Sequence, residues 1–188
     1  MSATRSTPSE PLPGFSPAKI PAALPLFLAL LSLFTLLAPR TLRFNVTPSV
    51  PLGLYRIVRE PVHRGSLVEI CLPSGLTPFA LRRAYTGRGP CPGPARPLLK
   101  VVAAQPGDRI VLTRLGVVRD GTLLPSSAPR TADSQGRPLP RLPLGVYRIP
   151  PGSLWLYGPH PRSFDSRTFG PVSAGLVRQT LVPLATAP

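Results

Sequence analysis

The sequence predicts a mainly β fold with a short helix, carried behind one N-terminal transmembrane helix. Three observations lead there. The 188 residues include 29 prolines and 16 glycines, which interrupt long helices and central strands. Between them run short apolar or alternating segments bounded by Gly or Pro, the pattern of strands. Residues 20–38 are nineteen in a row without a charge, about 28 Å of helix and close to the hydrocarbon thickness of a bilayer.

Taken in order, residues 1–18 are rich in Ser, Thr and Pro and are expected to be a disordered tail. Residues 19–38 form the expected anchor. Pro21 and Pro25 fall in its first two turns, where a missing amide donor costs least. Its exit, Leu36-Leu37-Ala38-Pro39, is a poor small-x-small cleavage site, so a retained anchor is expected over a cleaved leader. Arg5 and Lys19 on one side and Arg40 and Arg43 on the other leave its orientation open. Residues 39–45 read as a connector, and residues 45–188 as one domain.

Strands are expected at 54–58, 66–71, 98–104, 109–113, 117–119, 146–149, 154–157 and 176–181. Arg114-Leu115-Gly116 and Asp120-Gly121 read as hairpin turns. One helix is expected, with Thr77 as N-cap, Pro78 at its first position and an end near Gly87. Residues 125–143 read as an extended, proline-rich surface excursion.

Twenty-two basic residues against seven acidic ones give a net charge of +15. The arginines are spread from Arg40 to Arg178 with few interleaved aromatics, which argues against nucleic acid as a partner. Such a surface is solvated and favours anionic lipid headgroups. Cys71 and Cys91 could be bridged, closing a loop of about 21 residues worth ~3 kcal/mol in an oxidising compartment. They could equally be two buried thiols. Two cysteines and two distant histidines match no ligand spacing, so neither metal nor cofactor is expected.

No Gly-x-Ser-x-Gly elbow, His-Glu-x-x-His or phosphate-binding glycine loop occurs. A Ser/His/Asp triad can be drawn on paper from His160 with Asp165 or Asp108, but nothing local marks it. A Ser/Lys dyad is better supported. Of the 22 basic residues only Lys19 and Lys100 are lysine. Arginine does not lose its proton in a protein, whereas a lysine among apolar groups does so more readily. Lys100 lies in Leu98-Leu99-Lys100-Val101-Val102-Ala103-Ala104. On a strand, Leu98, Val102 and Ala104 share its face. Ser49, in Thr47-Pro48-Ser49-Val50-Pro51, follows the apolar run by about eleven residues, which reach at most ~40 Å. Prolines on both sides are expected to hold its backbone extended and present its hydroxyl.

Three segments together resemble a family. Asn45-Val46-Thr47-Pro48-Ser49-Val50-Pro51-Leu52-Gly53-Leu54-Tyr55 is similar to the nucleophile box of signal peptidases, in the form of conjugative-transfer peptidases of the TraF type. Lys100-Val101-Val102-Ala103-Ala104-Gln105-Pro106-Gly107-Asp108 resembles their general-base box. Ser163-Phe164-Asp165-Ser166-Arg167-Thr168-Phe169-Gly170 resembles their C-terminal Ser-x-Asp-Ser-Arg box. The three stand in the family's order, behind an anchor. Val50 replaces the usual methionine, the following proline comes one residue early, and Val101 replaces a common basic residue. These departures point to the transfer branch.

The resemblance implies a signal-peptidase/LexA-like β fold and a membrane-anchored serine endopeptidase. It implies Ser49 as nucleophile and oxyanion amide donor, Lys100 as general base, and Thr47 as a second oxyanion donor. Ser163 would hydrogen-bond the lysine amine. Asp165 and Arg167 would form an ion pair beside the site, with Asp165 functionally required. It also favours a Cys71–Cys91 disulfide. The implied substrate is an exported pre-protein, foremost a conjugative pilin precursor, released by hydrolysis or by cyclisation. The implied partners are membrane lipid and the conjugative transfer apparatus. The implied location is the bacterial inner membrane, with residues 45–188 as a periplasmic peptidase domain. Alternatives are a general type I leader peptidase, a self-cleaving repressor-type protein and a non-enzymatic transfer-channel component.

Overall fold

The computed structural model describes residues 23–187. The tail expected at 1–18 and the first residues of the expected anchor, 19–22, lie outside them. The chain divides after Leu37 into two compact units.

The first unit holds most of helix α1 (Ala23–Thr41). Leu26, Phe27, Leu30 and Leu36 are each more than half accessible. Among the described residues no helix is long and apolar enough to cross a membrane. α1 continues past the expected end at residue 38 and through Pro39, whose fixed φ is already helical.

The second unit is built on antiparallel strands. In chain order these are β1 (Leu42–Asn45), β2 (Gly53–Val58), β3 (Leu67–Ile70), β4 (Leu98–Ala104), β5 (Arg109–Leu112) and β6 (Val117–Arg119). They continue with β7 (Thr122–Leu123), β8 (Gly145–Arg148), β9 (Ser153–Tyr157), β10 (Val172–Ser173) and β11 (Val177–Thr186). Helix α2 (Thr77–Arg82) lies between β3 and β4, and α3 (Ser166–Phe169) between β9 and β10. The larger sheet runs β1-β2-β11-β3-β4-β9-β10 and the smaller β7-β6-β5-β8. The mainly β expectation holds.

All eight expected strands form, with ends shifted by a few residues. The connector expected at 39–45 is instead the end of α1 followed by β1. β1 pairs with β2 from Leu42↔Arg56 to Asn45↔Gly53. Four residues carry too little pattern to announce a strand; the partner edge makes it one. β11 runs past the expected end because its second half pairs with β2 while its first half pairs with β3. α2 starts at Thr77 rather than after it. The cap position is Leu76, and the Thr77 hydroxyl bonds back to the Pro73 carbonyl at 3.1 Å. The helix stops at Arg82, before Gly87, as Ala84 takes a positive φ of 56°.

The core has two main clusters. One joins Ala103, Ala104, Ile110, Leu112, Val117, Ile149 and Trp155 and ties the smaller sheet to β4 and β9. The other packs Val68, Ile70, Val102, Leu154, Leu156 and Val172. Two registers matter for the site. β3 sets Val68 opposite Lys100, and β9 sets Tyr157 opposite Val101.

Candidate active site

A cleft of about 950 Å³ opens on the second unit. It is bounded by the turn after β1, the start of β4, parts of the segments 84–97 and 128–139, and residues 160–168. Thr47, Ser49, Lys100, Ser163 and Arg167 all line it. Asp165 is fully buried behind Arg167.

The loop bearing Ser49 is organised by a residue that ends β1. Asn45 is buried, and its Oδ1 accepts from the Thr47 amide at 3.1 Å and the Thr47 hydroxyl at 2.8 Å. Its Nδ2 donates toward the carbonyls of Thr47, Val50 and Pro51 at 2.8, 3.0 and 3.0 Å. Tyr55 adds a hydrogen bond from its hydroxyl to the Pro51 carbonyl. Val50 is packed against Tyr55 and Leu181. Both flanks of Ser49 are thereby fixed while Ser49 itself stays half-buried on the cleft wall. The backbone here is a turn at residues 48–49, not the extended segment expected from its prolines. The preset φ of Pro48 suits a turn as well as a strand. The Thr47 hydroxyl proton points to Asn45, so an oxyanion role would require it to turn away.

Lys100 is 2 % exposed, one of the largest fully buried side chains of the fold. Burial pushes its pKa down from 10.5 to about 8; the Asp165 carboxylate opposes this shift and the Arg167 guanidinium adds to it. The alternation expected around it holds only as far as Val102. A register shift follows between Val102 and Ala104, and Ala103 and Ala104 are both buried.

The Ser163–Gly170 segment supplies the scaffold. Asp165 is the N-cap of α3 and accepts from the Arg167 amide at 3.1 Å. Its carboxylate takes Arg167 Nε at 2.8 Å and Nη2 at 2.7 Å. The same two side chains hold Gly158, just past β9. Asp165 Oδ2 accepts from its amide at 2.9 Å, and Arg167 Nη2 donates to its carbonyl at 3.2 Å. One step beyond the Val101↔Tyr157 pair, the antiparallel register carries Gly158 opposite Lys100. A Cβ on Gly158 would stand 2.8 Å from the Ser49 carbonyl oxygen and 2.8 Å from Ser163 Cβ. Glycine is needed there for close approach. Ser163 Oγ is buried with no hydrogen-bond partner among the described residues, so the expected bond to the Lys100 amine is not made.

The outer walls are tied together. A Cys71–Cys91 disulfide secures the segment carrying α2. Asp133 of the proline-rich stretch accepts from the Tyr85 hydroxyl at 2.6 Å and from Arg137 Nε at 2.7 Å. Arg83 reaches the Pro138 carbonyl at 2.6 Å, and Arg167 Nη1 the Ser126 carbonyl at 2.7 Å. The expected surface excursion is therefore an anchored cleft wall.

The family model described as "Signal peptidase, peptidase S26" matches residues 18–182. This chain belongs to the signal peptidase family. "Conjugal transfer protein TraF" of Agrobacterium fabrum is 42 % identical over 133 residues, covering 69 % of this chain and 74 % of that one. "Plasmid transfer protein TraF" of Escherichia coli is 38 % identical over 146 residues, covering 77 % and 82 %. "Probable conjugal transfer protein TraF" of Sinorhizobium fredii is 41 % identical, covering 74 % and 76 %. Within the family this is a TraF-type member. A solved signal peptidase I from Enterococcus faecalis aligns with a TM-score of 0.38 at 16 % identity, over 65 % of this chain and 98 % of that one.

In this signal peptidase-family chain the fold brings the three boxes to one cleft, although they are separated by about 50 and 60 residues of sequence. It does not assemble the paper triad. Asp165 is committed to Arg167 and Gly158, and Asp108 accepts from the Gln105 amide and pairs with Arg64. His160 Nδ1 accepts from the Arg162 amide. Asn45 and Gly158 were not foreseen as site residues. The signals available were Asn-x-Thr, an Asx-turn pattern, and a lone glycine closing an apolar strand.

Proposed function

We propose that this chain is a membrane-anchored serine endopeptidase working through a Ser49/Lys100 dyad. Its substrate is an exported pre-protein, foremost the pilin precursor of a conjugative system. The observation that carries this reading is that Ser49 and a buried Lys100, of lowered pKa, line the same cleft. A lysine near pKa 8 is neutral in roughly a tenth of molecules at pH 7, against under a thousandth when unperturbed.

Neutral Lys100 Nζ accepts the Ser49 proton as Oγ attacks the scissile carbonyl. The Ser49 amide donates to the oxyanion, joined by Thr47 if its hydroxyl turns from Asn45. Collapse transfers the proton from Lys100 to the leaving amine, and Lys100 then activates the water or amine that resolves the acyl-enzyme. Asp165 and Arg167 hold Gly158, and through it the spacing between Ser49 and β4. The uncharged run at 20–38 and the exposed apolar side chains of α1 support membrane attachment. The disulfide supports an oxidising, periplasmic location. The names of the TraF relatives support a role in conjugation.

Lys100→Arg, assayed by processing of the pilin precursor, tests the dyad. It keeps the charge and approximate length but removes the ability to deprotonate. Processing is expected to be lost there and in Ser49→Ala. Full activity in either variant sinks the reading, and intact pilus assembly in both points to a structural role in the channel.

A further inference from the structure

The cleft carries an unbalanced charge. Arg43, Arg96, Arg130, Arg162, Arg167 and Arg178 line it, against two carboxylates, Glu69 and Asp133. Both carboxylates are engaged, Glu69 by Arg43 and Gln179, and Asp133 by Arg83, Arg137 and Tyr85. Arg167 is neutralised by Asp165. Among the described residues, Arg96, Arg130, Arg162 and Arg178 have no carboxylate at ion-pair distance.

These four differ in how they are held. Arg96 and Arg178 are tied back to the carbonyls of Arg88 and Pro90, on the disulfide-bridged wall. Arg130 and Arg162 come from two other segments, line the cleft together with His160, and have no side-chain hydrogen bond among the described residues. Burial lowers the His160 pKa, and the charges of Arg162, Arg167 and Arg130 lower it further, so all three act on one imidazole. That ring and Ser163 share the same stretch of cleft wall. Like charges gathered along a concave wall focus the field and attract an anion.

We propose that Arg130 and Arg162 form a subsite for a carboxylate of the substrate polypeptide, so that cleavage is selective for chains carrying an acidic group close to the scissile bond. The inference rests on the peptidase reading above. A substrate group is favoured over a lipid headgroup because these arginines line the cleft that holds Ser49 and Lys100, where an extended chain has to lie. The carboxylate has two sources, an acidic side chain or the free C-terminus of the precursor. Either would make charge-assisted hydrogen bonds to the guanidinium groups.

The test uses the full-length protein in detergent micelles and fluorogenic peptides with small residues at the scissile bond. Paired peptides carry Glu or Gln on either side of that bond, and each is made with a free or amidated C-terminus. The wild type is expected to favour the carboxylate member about tenfold or more in kcat/KM, with the ratio shrinking as salt rises. In Arg130→Gln/Arg162→Gln the ratio is expected to fall toward one. Loss of the Glu/Gln ratio assigns the subsite to a side chain, and loss of the acid/amide ratio assigns it to the C-terminus. A wild-type ratio near one, or an equal ratio in the variant, overturns the inference while leaving the peptidase reading intact. Weaker binding of the variant to phosphatidylglycerol vesicles, with an unchanged peptide ratio, gives the arginines to the membrane and also overturns it. Failure of the wild type to cleave any peptide removes the peptidase reading, and the inference with it.

Discussion

Asp165 and Arg167 form a buried two-point ion pair, with Nε 2.8 Å from Oδ1 and Nη2 2.7 Å from Oδ2. Asp165 is wholly inaccessible and Arg167 nearly so. Asp165→Asn removes the counter-charge and strands the guanidinium, at a cost of about 3–5 kcal/mol. A thermal melt should register a fall on the order of 10 °C. The Asp165 carboxylate also raises the Lys100 pKa, so whatever activity survives should have its acid limb moved to lower pH. An unchanged melting temperature would refute the structural role.

Lys100 links activity and stability with opposite consequences. Its folded pKa of about 8 lies below the ordinary 10.5, so the folded protein binds fewer protons than the unfolded chain between those values. Stability should therefore rise with pH from about 8 to 10.5, and below that window the buried ammonium costs on the order of 3 kcal/mol. Lys100→Met is expected to raise the urea midpoint at pH 7 while abolishing cleavage. Wild-type kcat/KM should climb about tenfold per pH unit below 8 and level off above. A flat profile across the neutral range would count against the general base.

Gly158 stands where a side chain does not fit. In Gly158→Ala the new methyl meets the Ser49 carbonyl oxygen and Ser163 Cβ at 2.8 Å each, and the loop bearing Ser49 must move. A cost of about 1–3 kcal/mol is expected. Cleavage should fall at least tenfold, since a small misplacement of reacting groups is expensive. Wild-type kinetics in this variant would show that the close approach is incidental.

Asn45 positions the loop that bears Ser49 without entering the chemistry. Asn45→Ala leaves the Val50 and Pro51 carbonyls and the Thr47 amide without their partner, at about 2–4 kcal/mol. Asn45→Asp keeps the acceptor to Thr47 but not the two donors, and should be intermediate. The discriminating readout is kcat at saturating substrate, measured where both variants are still folded. Equal kcat in all three proteins would reduce Asn45 to a stability residue.

The strands were legible because each is a short apolar or alternating run closed by Gly or Pro, as in Leu98–Ala104, where expectation and structure coincide. β1, β7, β10 and α3, each two to four residues long, escaped. β1 exists because β2 offers it an edge, and α3 because Asp165 caps it. Neither leaves a periodic trace. The turn at Ser49 escaped for a related reason: Pro48 and Pro51 restrict the backbone without choosing between strand and turn, and Asn45 makes the choice.

What the sequence by itself determined was the inventory: a nearly lysine-free chain with one lysine in an apolar strand, a proline-flanked serine, an Asp-Ser-Arg segment, and their order. These are local facts, written in residue type and spacing. Tertiary structure alone decided that the three segments meet on one cleft, that Lys100 is buried enough to lose its proton near neutrality, and that Gly158 lies between Ser49 and Ser163. Each depends on strand register and on what packs behind a side chain, and both are fixed by contacts across about thirty to a hundred residues of chain.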